Sequence, residues 1–255
     1  MKEFLVSTPL YKPMLKARSI FEEHIIKGLG PREGKVNTAY CISPYKSGTT
    51  YFSGLFSEKS KSNHEPFMYT TIRNMDDTSF LVKRARWLDL DLECSGFFAG
   101  KLQVLRSFAP ESPVIFLSRH PETWIGSVVN YFSQLKGKVS YNYVARLIFD
   151  PLCDYPVDEF YDLEDDKKKK IVENLIEYWI SIYLEAELDP LSIIVPLDEV
   201  DSRLKDISQF LGLPYAPPSE VWKRENRKKK EFSLSDYVDI NEYEESVQRF
   251  GYKLK

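Results

Sequence analysis

Thirteen residues, Thr38 to Thr50, constrain the fold more than any other part of the chain. Thr38 to Ser43 (TAYCIS) is a short apolar run ending at Pro44, the pattern of a buried strand, and Tyr51 to Phe56 sets Phe52, Leu55 and Phe56 at helical spacing. Between them lies Ser43-Pro44-Tyr45-Lys46-Ser47-Gly48-Thr49-Thr50. A strand that turns sharply through such a segment into a helix aims several backbone N–H groups, hydroxyls and one ammonium at a single point. Unpaired amides and the positive end of the helix dipole make that point an anion site, and Gly48, lacking a side chain, allows close backbone approach. The hydroxyls alone would read as an ordinary helix cap. The lysine and the upstream strand favour the anion site.

The same strand-then-helix pattern recurs twice. Pro113 to Ser118 (PVIFLS) is a second buried-strand candidate, and Pro121 stands where a helix can begin, with Trp124, Val128 and Phe132 lining one face. Ser192 to Leu197 (SIIVPL) is a third, followed by a helix bearing Leu204, Ile207 and Leu211, with Gly212 and Pro214 as stop signals. Asp162 to Glu187 reads as a long helix with Ile171, Leu175, Tyr178 and Ile182 on one face, its Lys167 to Lys170 run a solvated surface. Tyr141 to Tyr161, aromatic and broken by Pro151 and Pro156, reads as irregular or broken helix. These alternations predict an α/β fold, a central parallel sheet flanked by helices, and the loop from Ser43 to Thr50 makes the nucleotide-binding P-loop type the expected one. One domain over residues 1–255 is expected, with its core over 38–214 and an extension over 215–255.

Composition narrows the function classes. A formal net charge of −3 on 255 residues argues against a nucleic-acid-binding surface spread over the protein. No apolar stretch approaches the roughly 20 residues that span a bilayer, and Met1 to Leu10 lacks the pattern of a signal peptide, so a cytoplasmic protein is expected. Cys41, Cys94 and Cys153, odd in number and far apart, read as buried thiols. No His, Cys and carboxylate set has metal-ligand spacing.

The usual nucleotide-triphosphatase loop, GxxxxGK[ST], places its lysine after the second glycine, whereas Lys46 precedes Gly48. Lys46-Ser47-Gly48-Thr49-Thr50 instead resembles the 5′-phosphosulfate loop of sulfotransferases that use 3′-phosphoadenosine 5′-phosphosulfate (PAPS), except that the proline usual just before the lysine stands one position earlier, at Pro44. A second motif agrees. Arg119-His120-Pro121 closes the second strand candidate and Ser127 follows Arg119 by eight positions, the spacing at which this family grips the cofactor's 3′-phosphate. A guanidinium binds phosphate as a fork, and a hydroxyl from the second helical turn adds a donor. Asp198-Glu199-Val200 followed by Phe210-Leu211-Gly212 also resembles the family's late strand, acidic turn and helix. Leu197 replaces a tyrosine that many cytosolic members carry, and the family's glycine-rich basic motif near the C-terminus is missing. In its place runs Arg224-Glu225-Asn226-Arg227-Lys228-Lys229-Lys230, where Arg227 and Lys228 are candidates for 3′-phosphate contacts and a solvated basic loop is the alternative.

The resemblance implies sulfuryl transfer from PAPS to an acceptor hydroxyl of a sugar, lipid or other small molecule, leaving 3′,5′-adenosine bisphosphate (PAP), without a required metal. Lys46 fits the cation that stabilises charge on the leaving phosphate. For the general base, Asn63-His64-Glu65-Pro66 follows the loop's helix after a short polar turn, and a Glu-Pro there resembles carbohydrate-type sulfotransferases. Glu65 is preferred, since burial can raise a carboxyl into the working range, with His64 as the second candidate. Two other readings stay open: a P-loop kinase or phosphotransferase, and a nucleotide-binding protein without turnover.

Overall fold

The computed structural model describes residues 11–29, 36–137, 145–216 and 230–254. They fall into two compact units, one drawn from Leu15–Ser118 and Ile182–Glu225, the other from Met1–Met14, Arg119–Ser181 and Asn226–Lys255. The first unit contains the sheet. Its strands are β1 (Ala39–Cys41), β2 (Ser62–His64), β3 (Leu92–Cys94), β4 (Val114–Ser118) and β5 (Ser192–Pro196), in the order β2-β3-β1-β4-β5. Every pairing is parallel, with Cys41 opposite Cys94, Tyr40 opposite Val114 and Ile115 opposite Ile193.

Burial sorts the strands as a covered parallel sheet requires. All residues of β1, β3 and β4 are buried, while the edge strands β2 and β5 are mostly half-buried. Helix α1 (Tyr11–Gly28) begins the described chain, and α2 (Thr49–Phe56) follows β1. Phe52, Leu55 and Phe56 of α2 pack with Cys41, Leu92, Cys94, Ile115 and Val195 of the sheet in one apolar cluster. Helices α3 (Met68–Arg73), α4 (Thr78–Leu88) and α5 (Leu102–Phe108) connect the next strands. Because the strands are parallel, the carboxyl ends of β1, β2, β3 and β5 share one edge of the sheet, the edge where ligands of open α/β sheets bind.

In the second unit α6 (Pro121–Ser133) opens with Pro121 in its first turn, where a missing N–H costs nothing. Trp124, Val128 and Phe132 are buried along it, as their spacing predicts. The long helix α7 (Asp165–Leu188) begins three residues later than expected because Val157–Asp162 forms a 3₁₀ turn. Residues 145–162 are a chain of short helical pieces, the broken helix that two prolines predict. Back in the first unit, β5 stops at Pro196, Leu197 opening a 3₁₀ turn, and α8 (Leu204–Leu211) buries Leu204, Ile207 and Leu211 before Gly212 ends it at φ 68. Helix α9 (Asn241–Gln248) follows near the C-terminus. All three cysteines are buried free thiols. No described helix is long and apolar enough to cross a membrane.

Candidate active site

β1 delivers the chain into the Lys46–Thr50 loop at the carboxyl edge. The Ser47 N–H donates to the Pro44 carbonyl at 3.1 Å, closing a turn that leaves Lys46 at φ 75 and Gly48 at φ 99. Gly48 then caps α2, its carbonyl accepting from the Phe52 N–H at 3.0 Å. A Cβ at Gly48 would stand 2.5 Å from Leu197 Cδ1, so the turn after β5 seals the loop and admits only glycine without rearrangement. Ser47 is fully buried, and its hydroxyl has no hydrogen-bond partner among the described residues. A buried polar atom left unmatched is expensive, on the order of 1 kcal/mol or more, and a bound anion oxygen would satisfy it.

The edge strand β2, separated from β1 by β3, brings the second group. β2 ends at His64, whose Nε2 lies 3.0 Å from Thr49 Oγ1 and 3.1 Å from Thr50 Oγ1, the imidazole tautomer setting which partner donates. Burial holds His64 near a pKa of about 4, so it is neutral at physiological pH. Glu65 follows with Oε1 3.9 Å from His64 Nε2 and its side chain only 16% exposed. Desolvation raises its carboxyl to about 7, and the Gly96 N–H, the Tyr45 hydroxyl and the Lys46 charge oppose that rise. The structure therefore gathers Lys46, Thr49, Thr50, His64 and Glu65 at one edge. It separates the two base candidates chemically: Glu65 is poised near neutrality, and His64 is tied to the loop's hydroxyls.

The backbone around Glu65 is unusual. Glu65 and Phe67 stand at φ 53 and φ 52, on either side of Pro66. Each left-handed residue with a Cβ costs about 1 kcal/mol. Compensation comes from β3 and α4. The Glu65 N–H donates to the Cys94 carbonyl at 3.0 Å, and Arg84 Nη2 donates to the Pro66 carbonyl at 2.6 Å. Arg84 also grips Glu93 in a fork of two 2.9 Å bonds, while Ser95 Oγ donates to Glu93 Oε1 at 2.7 Å. Both charged side chains are essentially inaccessible to solvent. Gly96 lets the Tyr45 ring lie across it, since a Cβ there would stand 3.0 Å from Tyr45 Cδ2.

In the other unit Arg119 follows β4 directly and its carbonyl accepts from Trp179 Nε1 at 3.0 Å. Ser127, 8% exposed, lies two turns into α6. Asn130, on the same helix, receives the Lys230 N–H at 2.9 Å and donates to the Lys230 carbonyl at 3.1 Å. Glu122 Oε1 accepts the Leu234 N–H at 2.9 Å, so the segment after Lys230 is stitched along α6. His120 Nε2 lies 2.8 Å from the Lys253 carbonyl. Arg227 and Lys228 lie outside the described residues. Among the described residues no group of three or more His, Cys, Asp or Glu is placed to hold a metal ion.

In structure the chain resembles two sulfotransferase domains. One is from the curacin biosynthetic pathway, with a TM-score of 0.36, 13% identity, and coverage of 72% of this chain and 77% of that one. The other is from the olefin synthase of Synechococcus PCC 7002, with a TM-score of 0.41, 13% identity, and coverage of 89% of this chain and 99% of that one. At this identity and these TM-scores, neither assigns a role to any residue here. No family model and no curated protein matches the chain.

Several participants are silent in the sequence. Tyr45 reads as an interruption between Pro44 and Lys46, yet its hydroxyl reaches both the Glu65 carboxyl and Met68 Sδ, the latter at 3.1 Å. Gly96 carries only the weak signal of an isolated glycine before Phe97-Phe98. Arg84 and Glu93 carry none, since nothing in a single sequence distinguishes a charge that will be buried from one that will be solvated.

Proposed function

We propose that the protein is a PAPS-dependent sulfotransferase acting on an acceptor hydroxyl. One observation carries the reading: a carboxyl group poised near neutral pH stands beside a lysine-bearing anion loop whose buried serine hydroxyl has no partner in the described chain. The residues suit the donor. The Ser47 hydroxyl, the amides around Gly48 and the N-terminus of α2 would hold the 5′ end, with Thr49 and Thr50 presenting hydroxyls. Arg119 and Ser127 are assigned to the 3′-phosphate on their eight-residue spacing, and Arg227 and Lys228 remain candidates for the same group.

When bound, PAPS supplies a sulfuryl group on a phosphate leaving group. The acceptor oxygen attacks sulfur, the bond from sulfur to the 5′-phosphate oxygen breaks, and the acceptor's proton passes to a Glu65 carboxylate oxygen. Glu65 at about 7 is well matched to that proton, and a positioned base of this kind contributes roughly 10²–10⁴-fold. Lys46 offsets the negative charge that collects on the departing phosphate. His64, neutral and bonded to both threonine hydroxyls, orders the loop and keeps its own charge out of the site. The acceptor is a hydroxylated small molecule, with sugars and glycolipids first to test.

The experiment is transfer of labelled sulfate from PAPS to a panel of sugars, glycolipids and other hydroxylated compounds, with ATP–Mg²⁺ as a rival donor. Label in an acceptor, dependent on PAPS and lost in Lys46→Ala, supports the proposal. Phosphoryl transfer from ATP–Mg²⁺, or PAP binding without turnover on any acceptor, would replace it.

A further inference from the structure

We infer that the buried Arg84–Glu93 pair is a positioning device for Glu65, holding the base in place through the Pro66 carbonyl. The inference rests on the reading of Glu65 as the base, and it starts from geometry that reading does not use. Arg84 reaches from α4 and Glu93 from β3; their two side chains are joined by a bidentate contact at 2.9 Å and shielded from water. Arg84 Nη2 spends a further donor on the Pro66 carbonyl at 2.6 Å, and its guanidinium lies 5.6 Å from the centre of the Phe97 ring. Pro66 has no N–H, so its carbonyl is the one backbone hydrogen-bonding group by which that residue can be held. The residues on either side of it, Glu65 and Phe67, are both in the left-handed region.

Apart from the Tyr45 hydroxyl on its carboxyl, the restraints on Glu65 come from one direction. The Cys94 carbonyl takes its N–H, the Gly96 N–H meets its carboxyl, and Glu93, between them and Arg84 in the bonding chain, is itself fixed by Ser95. The end of β3 therefore sets the base at both backbone and side chain, with Arg84 locking the following residue to the same strand. Releasing Pro66 frees the turn to relax out of its left-handed conformation, and the carboxyl then moves toward water. The titratable and charged groups facing Glu65 are Tyr45 and Lys46 of the loop and His64 at the end of β2. Arg84 and Glu93 neutralise each other, so the pair acts on Glu65 by placement.

The test replaces the pair as a unit, Arg84→Met with Glu93→Met, because removing one partner alone leaves an uncompensated buried charge. Arg84→Lys is the second variant; it keeps the charge and loses the fork, and it is read in the same way where the double variant does not fold. Glu65 is followed by NMR titration of ¹³C-labelled carboxyl groups, assigned with Glu65→Gln. The expected result is a Glu65 midpoint that falls from about 7 toward the ordinary carboxyl value of 4.5, with Arg84→Lys in between. The transfer rate is expected to fall roughly 10–100-fold with the donor KM within about twofold, the signature of a misplaced group. A folded variant whose Glu65 midpoint and pH–rate profile match the wild type would reduce the pair to a structural contact and overturn the inference. If the wild type moves no sulfuryl group, the functional reading fails, while the NMR midpoint still decides the positioning claim.

Discussion

The Lys46–Thr50 loop and the Glu65–Phe67 turn, on neighbouring parts of the same sheet edge, both hold backbone in the left-handed region, and they reach it by opposite routes. The loop sets Lys46 at φ 75 beside Gly48 at φ 99, the latter a residue without a Cβ, and closes with a local turn and the first turn of α2. The Glu65–Phe67 turn has no glycine; a buried ion pair and the end of β3 impose its shape. The first is encoded within a dozen residues. The second requires Arg84 and Glu93, which follow Glu65 by 19 and 28 positions. A glycine-bearing turn can thus be written locally, whereas a carboxyl with a displaced pKa is a product of tertiary burial.

The largest break in this comparison comes from Glu65→Gln. Turnover on the identified acceptor is expected to fall about 10²–10³-fold with PAP affinity retained, since the loop is untouched. In the wild type the rate should rise with pH through about 7 as the carboxyl loses its proton, and the variant should lose that rise. Stability gives a second readout of opposite sense. The folded carboxyl keeps its proton up to about 7 while the unfolded one releases it near 4.5, so the group's contribution is fully present below 4.5 and is lost as pH rises through 7. Urea unfolding at pH 4.5 and at pH 8 should show a loss on the order of 3 kcal/mol in the wild type that Glu65→Gln lacks.

Gly48→Ala breaks the local member of the pair. The added methyl meets Leu197 at 2.5 Å on a backbone with φ 99, and a destabilisation of about 2 kcal/mol is expected in denaturant melts. Adding Leu197→Ala should recover only the steric share and leave the conformational one. The smallest effect sharpens the anion-site reading. Ser47→Ala removes a buried hydroxyl with no described partner, so the free protein should melt no lower than the wild type. Its affinity for PAP should fall about fivefold, near 1 kcal/mol. A lower melting temperature with unchanged affinity would make Ser47 a structural residue.

Legibility in the sequence followed the same division. β1, β4 and β5 are apolar runs closed by proline or polar residues, and they were readable to within two or three residues. β2 is Ser-Asn-His and β3 is Leu-Glu-Cys, three residues each, too short and too polar to show a strand period, so two of the five strands went unread. The place of Lys46 to Thr50 between a strand and a helix was legible because an apolar run closed by Pro44 precedes Gly48 and helical spacing follows it. His64 and Glu65 could be nominated from their place after α2. Their separation into a loop-bonded imidazole and a near-neutral carboxyl could not, because it depends on how deeply tertiary packing buries each and on the contacts of His64 with Thr49 and Thr50.

The central claim is that Lys46 to Thr50 form the donor's anion site, and a thermal melt in the presence of EDTA addresses it directly. At saturating PAP the wild type should gain about 5 °C or more, and Lys46→Ala should lose most of that gain. Stabilisation by ATP–Mg²⁺ with no response to PAP, or an equal PAP response in Lys46→Ala, would contradict it.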